Sequence, residues 1–181
     1  MSYIPTVSRA TVDAATGATL DAFQAKLGTV PNMFLTLAHS PAALGAYVQL
    51  SDVAGKGRLN AKQREQIALI VGESNGCDYC VAAHGAIGKM VGLNAAQIAQ
   101  ARHGQSDHPR DAAVLTLARR IVETRGLVPT AELDAFKSAG HDDAAILEVL
   151  VNVVLNIFTN YTNHLARTDI DFPVVAKSLA A

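Results

Sequence analysis

The chain has 181 residues, of which 50% are apolar and 17% charged, and its formal net charge at pH 7 is −1. This length predicts one domain, and the apolar content suffices for a core with extra buried surface, as between subunits. The near-zero charge argues against nucleic acid or an anionic membrane as partners. The first ten residues lack the layout of a secretory signal, and no run of about 18 apolar residues indicates a membrane span. We therefore expect a cytoplasmic protein.

Apolar residues recur at helical spacing along the chain, which predicts an all-α, single-domain, multi-helix bundle. We expect N-terminal helices over about 15–55, a central segment over about 58–93, and a long helix plus a docked arm over 143–181. The individual predicted helices cover 15–28, a short segment starting at Pro31, 41–54, 60–73, 77–92, 94–102, 111–124, 130–137 and 143–166.

Local signals place several helix ends. Gly28 is a typical helix stop, and Asn60 followed by Gln63 forms a capping-box pattern. Asn75 and Gly76 predict a turn that ends one helix just before the next begins.

That next helix carries both cysteines of the chain, in the stretch ESNGCDYCVAAHGAIG. At about 100° per residue, Cys77, Cys80 and His84 fall on one narrow helical stripe. Cys77 would lie in the first turn, where free N–H groups favour a thiolate, and His84 is one turn after Cys80. In the cytoplasm, C-x-x-C is typical of redox or metal chemistry. The geometry suits a thiol that attacks and is then captured as a disulfide.

Two other interpretations of these residues remain open. C-x-x-C with His84 supplies three of the four ligands that zinc prefers, although no fourth ligand stands at a typical spacing. Alternatively, Cys77 and Cys80 are buried as small apolar residues and the histidine lies on the surface.

Proton transfer from a thiol requires a base, and the preceding helix carries two glutamates. Glu73 aligns with Lys62 and Gln66 on a face that we expect to be solvated. Glu65 stands on the flank of that face among small and apolar residues, which would half-bury it and suit it to proton transfer. By itself, however, Glu65 also fits an ordinary surface carboxylate.

The long last helix carries polar residues every fourth position on an otherwise apolar sequence: Glu148, Asn152, Asn156, Asn160 and His164. If buried, these groups must be hydrogen-bonded, as in a network between helices or subunits. A second interpretation is that the ridge, especially Asn160 and His164, borders the thiol cavity or a subunit interface beside it.

The stretch LNAKQREQIALIVGESNGCDYCVAAHGAIGKMVGL resembles the core of the alkylhydroperoxidase D-like, peroxidase-related branch of the carboxymuconolactone decarboxylase superfamily. The shared motif is a glutamate twelve residues before the first cysteine, followed by C-x-x-C-x-x-x-H. Here these positions are Glu65, Cys77, Cys80 and His84, and the resemblance implies that all four are catalytic.

The resemblance also implies an all-α oligomer, a trimer or hexamer, that uses no haem, flavin or metal cofactor. Cys80 would attack the hydroperoxide, Cys77 would resolve the product, and His84 with Glu65 would relay the proton, through a water. The reductant would be a dithiol on a lipoyl or small redox protein. The best-known member has a histidine inside its C-x-x-C where this chain has Tyr79, so one relay step would be missing.

The function predicted from these residues is thiol-dependent reduction of alkyl hydroperoxides or of a partner's disulfide. A non-catalytic redox sensor built on Cys77 and Cys80 is the first alternative. A decarboxylase-like lyase is the second, although members of that branch generally lack the cysteine pair.

Overall fold

A computed structural model describes residues 2–173, and the regular secondary structure of that part of the chain is entirely helical. A 3₁₀ turn at Arg9–Thr11 precedes the α-helices. These are α1 (Ala14–Leu27), α2 (Asn32–Leu37), α3 (Pro41–Gly55), α4 (Ala61–Ser74), α5 (Asp78–Met90), α6 (Ala95–Arg102), α7 (Pro109–Thr124), α8 (Thr130–Ser138) and α9 (Asp143–Ala166). The all-α prediction is confirmed.

Capping chemistry sets the helix ends where the sequence predicts them. The Asn60 side chain accepts from the Gln63 N–H while the Gln63 side chain accepts from the Asn60 N–H, so the capping box of α4 is present. Gly28 ends α1 with φ of 78°, a left-handed conformation that costs glycine little. The predicted ends of α9 coincide with the observed ones.

The predicted start of α5 is wrong by one residue, and the difference changes the role of Cys77. Cys77 is not in the first turn of α5, because its backbone (φ −93°, ψ 88°) is not helical, and it serves instead as the N-cap. Its sulfur accepts a hydrogen bond from the Cys80 N–H at 3.3 Å. Cys77 thus still lies at the free N–H groups of the helix, as a capping side chain.

Helix α4 is the centre of the bundle and packs against α5, α6, α7 and α9. Its residues from Gln66 to Glu73 are all buried. Gly72 allows α5 to approach closely, since an added Cβ would lie 3.4 Å from the Cys80 Cβ. This approach places the cysteine helix directly on the helix that carries Glu65.

The buried apolar residues form two clusters. The larger one joins α4, α7 and α9 through residues such as Ile67, Leu115 and Val149. The smaller one lies under α1, α2 and α3 and includes Cys77, Tyr79 and Cys80. The thiols therefore belong to a separate core, built largely from the N-terminal helices.

Helix α9 combines length with apolar composition. Of the described residues, Asp143–Ala166 form the one helix long and apolar enough to cross a membrane by those criteria alone. In this structure it packs against α2, α3, α4, α5 and α7, which is the arrangement of a core helix.

The chain turns back after α9 and returns to α2. Arg167 adopts a left-handed conformation at φ 50°, and the Asn32 N–H donates to the Asp171 carboxylate at 2.7 Å. The Asn32 side chain also donates to the Asp169 carbonyl at 3.0 Å. The predicted docked arm is thus present as far as residue 173, and its remainder, 174–181, lies outside the described residues.

Candidate thiol active site

Cys77 and Cys80 are paired as a disulfide, with Cα atoms 5.3 Å apart. The two residues are only 1% and 2% exposed. Neither sulfur is therefore reachable from the outer surface, and any reactant must approach through an internal space.

Such a space exists as a cavity of about 310 Å³ beside the N-terminal half of α5. Cys80 lines this cavity, whereas Cys77 is not among its lining residues. Much of the wall is aromatic, from Phe23, Phe34, Tyr47, Tyr79 and Phe172. Phe23 and Phe34 stack with centroids 3.8 Å apart. The cavity thus offers one of the two sulfurs to a small, largely apolar molecule.

Glu65 and His84 meet at the same cavity. The His84 Nδ1 lies 2.7 Å from the Glu65 Oε2, and both side chains are partly buried. A carboxylate accepts a hydrogen bond, so Nδ1 carries a proton, and in the neutral imidazole Nε2 is then the basic nitrogen. The contact between the two side chains is direct, and it orients a base one helical turn from Cys80.

Tyr47 adds a neutral hydroxyl to the cavity wall. Desolvation of the hydroxyl raises the pKa of Tyr47 to about 12, and the charge of Glu65 acts in the same direction. This tyrosine therefore remains protonated across the physiological range and can donate a hydrogen bond there.

Tyr79, between the two cysteines, is held on both sides. Its hydroxyl accepts from the Met33 N–H at 3.2 Å and donates to the Asp171 carboxylate, while its ring meets Phe172 edge-on. Burial is the main cause that raises the pKa of the Tyr79 hydroxyl above its ordinary value. Tyr79 is thus a neutral group that ties α5 to α2 and the returning tail.

Asn163 is the site residue that sequence reasoning missed. Its Nδ2 donates to the Cys80 Sγ at 3.3 Å, and the residue is buried and lines the cavity. Asn152, Asn156 and Thr159 line the cavity from the same helix. Asn163 and these three residues recur at i, i+4, i+7 and i+11, a spacing that keeps them all on one face of the helix.

Of the polar ridge predicted on α9, Asn152 and Asn156 therefore line the cavity, whereas Glu148, Asn160 and His164 do not, and Asn160 fits the first interpretation, a hydrogen bond between helices. Each step of four residues turns about 40° around the helix, so strict i+4 spacing leaves the cavity face. Asn160 is fully buried away from the cavity, where its Oδ1 accepts from the Asn75 side chain at 2.8 Å. His164 is exposed beside Tyr161.

The expectation that Glu73 and Gln66 are solvated is also wrong. Both residues are 5% exposed, and the Glu73 carboxylate accepts from the Arg102 Nε at 2.8 Å. Arg102 comes from α6, a partner that the periodicity of α4 alone does not reveal. This buried ion pair anchors α6 to α4 outside the thiol cavity.

The described residues contain no group of three or more His, Cys, Asp or Glu side chains arranged to hold a metal ion. The zinc interpretation would require such a group around the cysteine pair.

Comparison with known proteins bears on these residues. The carboxymuconolactone decarboxylase family profile matches residues 41–123, the range that contains Glu65, both cysteines and His84. A peroxidase-related protein with an alkylhydroperoxidase AhpD core from Ralstonia eutropha JMP134, uncharacterized in function, superposes with a TM-score of 0.87 at 26% identity. That alignment covers 94% of this chain and 92% of the relative. Over residues 41–123 this chain is therefore similar to the carboxymuconolactone decarboxylase family, and over most of its length its fold is that of the AhpD-core protein.

Two further structures share the fold of this chain. A peroxidase-related protein from Silicibacter sp. TM1040, also uncharacterized, has a TM-score of 0.81 at 22% identity, over 92% of this chain and 89% of its own. A cysteine-to-alanine variant of the debrominase Bmp8, in complex with 2,3,4-tribromopyrrole, has a TM-score of 0.81 at 18% identity, over 94% and 92%. No curated protein sequence gives a significant match.

Proposed function

We propose that this AhpD-like protein is a thiol-dependent reductase of alkyl hydroperoxides that cycles between a Cys77–Cys80 dithiol and a disulfide. The observation that supports this most is the position of Cys80. Cys80 lines a cavity with a largely aromatic wall that also holds the Glu65–His84 pair, whereas the neighbouring Cys77 does not line it.

The proposed cycle begins with the reduced pair. The Cys80 thiolate attacks the terminal oxygen of the hydroperoxide, so an S–O bond forms and the O–O bond breaks. The leaving alkoxide takes a proton and departs as an alcohol. The Cys77 thiol then displaces the oxygen of the Cys80 sulfenic acid as water and forms the disulfide. A dithiol reductant returns two electrons and two protons and is itself oxidised to a disulfide.

The Glu65–His84 pair supplies the proton step of this cycle. With its Nδ1–H on Glu65, His84 can take the Cys80 proton on Nε2, directly or through a water, and return it to the leaving alkoxide. The buried position of both sulfurs favours a slender reductant, such as a lipoyl arm or a small redox protein.

The test is hydroperoxide turnover with dihydrolipoamide by the wild type and by two matched variants. We expect Cys80→Ser to lower kcat/KM by at least about 1,000-fold, because the attacking sulfur is removed. Cys77→Ser should consume about one equivalent of hydroperoxide and then stop, with a sulfenic acid on Cys80 that dimedone traps. Substantial turnover by Cys80→Ser would contradict the mechanism.

The same assay separates two other functions. A redox sensor would oxidise once without sustained turnover in the presence of dihydrolipoamide. A decarboxylase-like lyase would keep its activity on a small lactone in the Cys77→Ser, Cys80→Ser double variant.

A further inference from the structure

We infer that Asn163 is a further catalytic residue of this site, with a different role for each end of its side-chain amide. Its NH₂ group stabilises the Cys80 thiolate, and its carbonyl oxygen accepts a hydrogen bond from the hydroxyl group of the incoming hydroperoxide. Only the role of the carbonyl oxygen rests on the proposed function, because the contact of the NH₂ group with the sulfur exists in the resting protein.

The first observation is the contact with the reacting atom. The Asn163 Nδ2 lies 3.3 Å from the Cys80 Sγ. A disulfide sulfur or a thiolate can only accept, so the amide must direct its NH₂ end at Cys80. A hydrogen bond to a charged acceptor is stronger than one to a neutral acceptor, so this contact favours the thiolate over the thiol.

The second observation is the other end of the same amide. The Asn163 Oδ1 is buried and has no hydrogen-bond partner among the described residues. Leaving a buried carbonyl oxygen unpaired is costly, and Asn163 lines the cavity through which a substrate must reach Cys80. A hydroperoxide that places its O–H on Oδ1 would have its terminal oxygen beside the sulfur that attacks it.

The remaining polar residues of α9 on this cavity do not offer the same pair of contacts. The amides of Asn152 and Asn156 donate to backbone carbonyls one turn earlier, and the Thr159 hydroxyl donates to the Asn156 carbonyl. Asn163 is the residue of this face whose amide is bonded to a sulfur.

Several ionisable groups act on Cys80 from the neighbouring helices, and they are unchanged in an Asn163 variant. Those that line the cavity are Lys26 of α1, Tyr47 of α3, Arg64 and Glu65 of α4, and Tyr79 and His84 of α5. A change in the titration of Cys80 on replacing Asn163 therefore reports the lost amide contact.

The experiment measures alkylation of Cys80 by iodoacetamide against pH, in a Cys77→Ser background that leaves one thiol. We expect Asn163→Ala to raise the apparent pKa of Cys80 by about one unit, and Asn163→Asp, which puts a carboxylate beside the sulfur, to raise it further. The matched control is Thr162→Val, whose hydroxyl donates only to the Phe158 carbonyl of its own helix. Its alkylation profile should equal that of the parent.

Hydroperoxide turnover is measured for the same substitutions with both cysteines present. We expect kcat/KM to fall about tenfold in Asn163→Ala and more in Asn163→Asp. Unchanged alkylation and turnover in Asn163→Ala would overturn the inference. If the wild type reduces no hydroperoxide while the alkylation shift persists, the proposed function and the role of Oδ1 fail but the thiolate contact stands.

A measurement on unsubstituted Asn163 decides the case if its variants do not fold. In ¹H–¹⁵N spectra of the reduced protein, the Asn163 side-chain NH₂ resonances should shift as Cys80 ionises. They should not follow that transition in Cys80→Ser. If the chemical shifts of the Asn163 NH₂ group in the wild type do not change as Cys80 ionises, the inference is overturned.

Discussion

At the scale of single residues, the site depends on direct contacts between polar side chains. Glu65 fixes the tautomer of His84, and the Asn163 amide meets the Cys80 sulfur. Tyr79, between the cysteines, is a neutral residue whose hydroxyl accepts a hydrogen bond from the Met33 N–H and donates one to the Asp171 carboxylate. The chemistry thus separates into a proton pair, a sulfur pair and a structural tyrosine.

Glu65 and His84 should behave as one unit. We expect Glu65→Gln and His84→Gln each to slow oxidation of reduced Cys80 by about 10- to 100-fold, because either change removes the oriented base. The double variant should be no slower than the worse single variant, which stopped-flow measurement of thiol oxidation would show. Additive losses would mean that the two side chains act independently.

Tyr79 should contribute to stability more than to reactivity. We expect Tyr79→Phe to lower the free energy of unfolding by about 1–2 kcal/mol, because the Met33 N–H and the Asp171 carboxylate lose a buried partner. Urea denaturation would measure this loss. Tyr3→Phe is the control, since Tyr3 is 75% exposed and its substitution should change stability by less than about 0.5 kcal/mol.

At the scale of helices, capping residues and close approaches place the site. Cys77 caps α5, Asn60 caps α4, and Gly72 lets these two helices touch behind Cys80. Acidic caps serve α1 and α9, where Asp13 and Asp142 accept from the first-turn N–H groups.

These two caps should make the fold sensitive to acid. The pKa of Asp13 is lowered mainly by the hydrogen bond from the Thr16 N–H. The pKa of Asp142 is lowered mainly by the hydrogen bond from the Ala145 N–H. A carboxylate with a lowered folded-state pKa stabilises the fold above its unfolded pKa of about 4, and that stability is lost as pH falls through the folded value. We expect Tm to drop below about pH 4 in the wild type.

The Asp13→Asn, Asp142→Asn double variant keeps cap-competent side chains without the charge. Its Tm should fall less between pH 5 and pH 2.5 than that of the wild type, as followed by circular dichroism. Equal acid losses in the two proteins would show that other carboxylates dominate the transition.

At the scale of the whole molecule, the outer face of α9 is apolar and exposed. Its exposed large apolar residues recur at three-, four- and seven-residue spacing, which keeps them on one side of the helix: Leu147, Leu150, Val154, Tyr161 and Leu165. An apolar stripe on a helix surface is typical of contacts between subunits. We propose that α9 forms the subunit contact of a homo-oligomer.

Light scattering coupled to size exclusion should therefore give a mass at least twice that of the 19.0 kDa chain. We expect Leu150→Glu with Val154→Lys to lower that mass, because charges on the stripe oppose association. The control is Leu127→Lys, which changes a leucine 84% exposed outside α9 and should leave the mass unaltered. A monomeric wild type would refute the interface.

What the sequence by itself determined about this protein is local. Helix ends at Gly28, Asn60 and Asp143 follow from capping groups within one turn of each end. Helical spacing placed Cys77, Cys80 and His84 on one stripe, and the family resemblance added Glu65; Glu65 and His84 lie in direct contact, and Cys80 shares their cavity. Such patterns are readable because the interacting residues lie on one helix or on two consecutive helices.

Only the tertiary structure decided which face of α9 meets the thiols. The Asn163 contact with Cys80 joins residues 83 apart in the chain, and the Asn75 contact with Asn160 joins residues 85 apart. These contacts depend on how α9 is rotated about its axis against α4 and α5. An α-helix has about 3.6 residues per turn, so each step of four residues overshoots a full turn. Repeated i+4 steps therefore carry Asn160 and His164 away from that face. Long-range packing, which local spacing does not encode, thus selected Asn163.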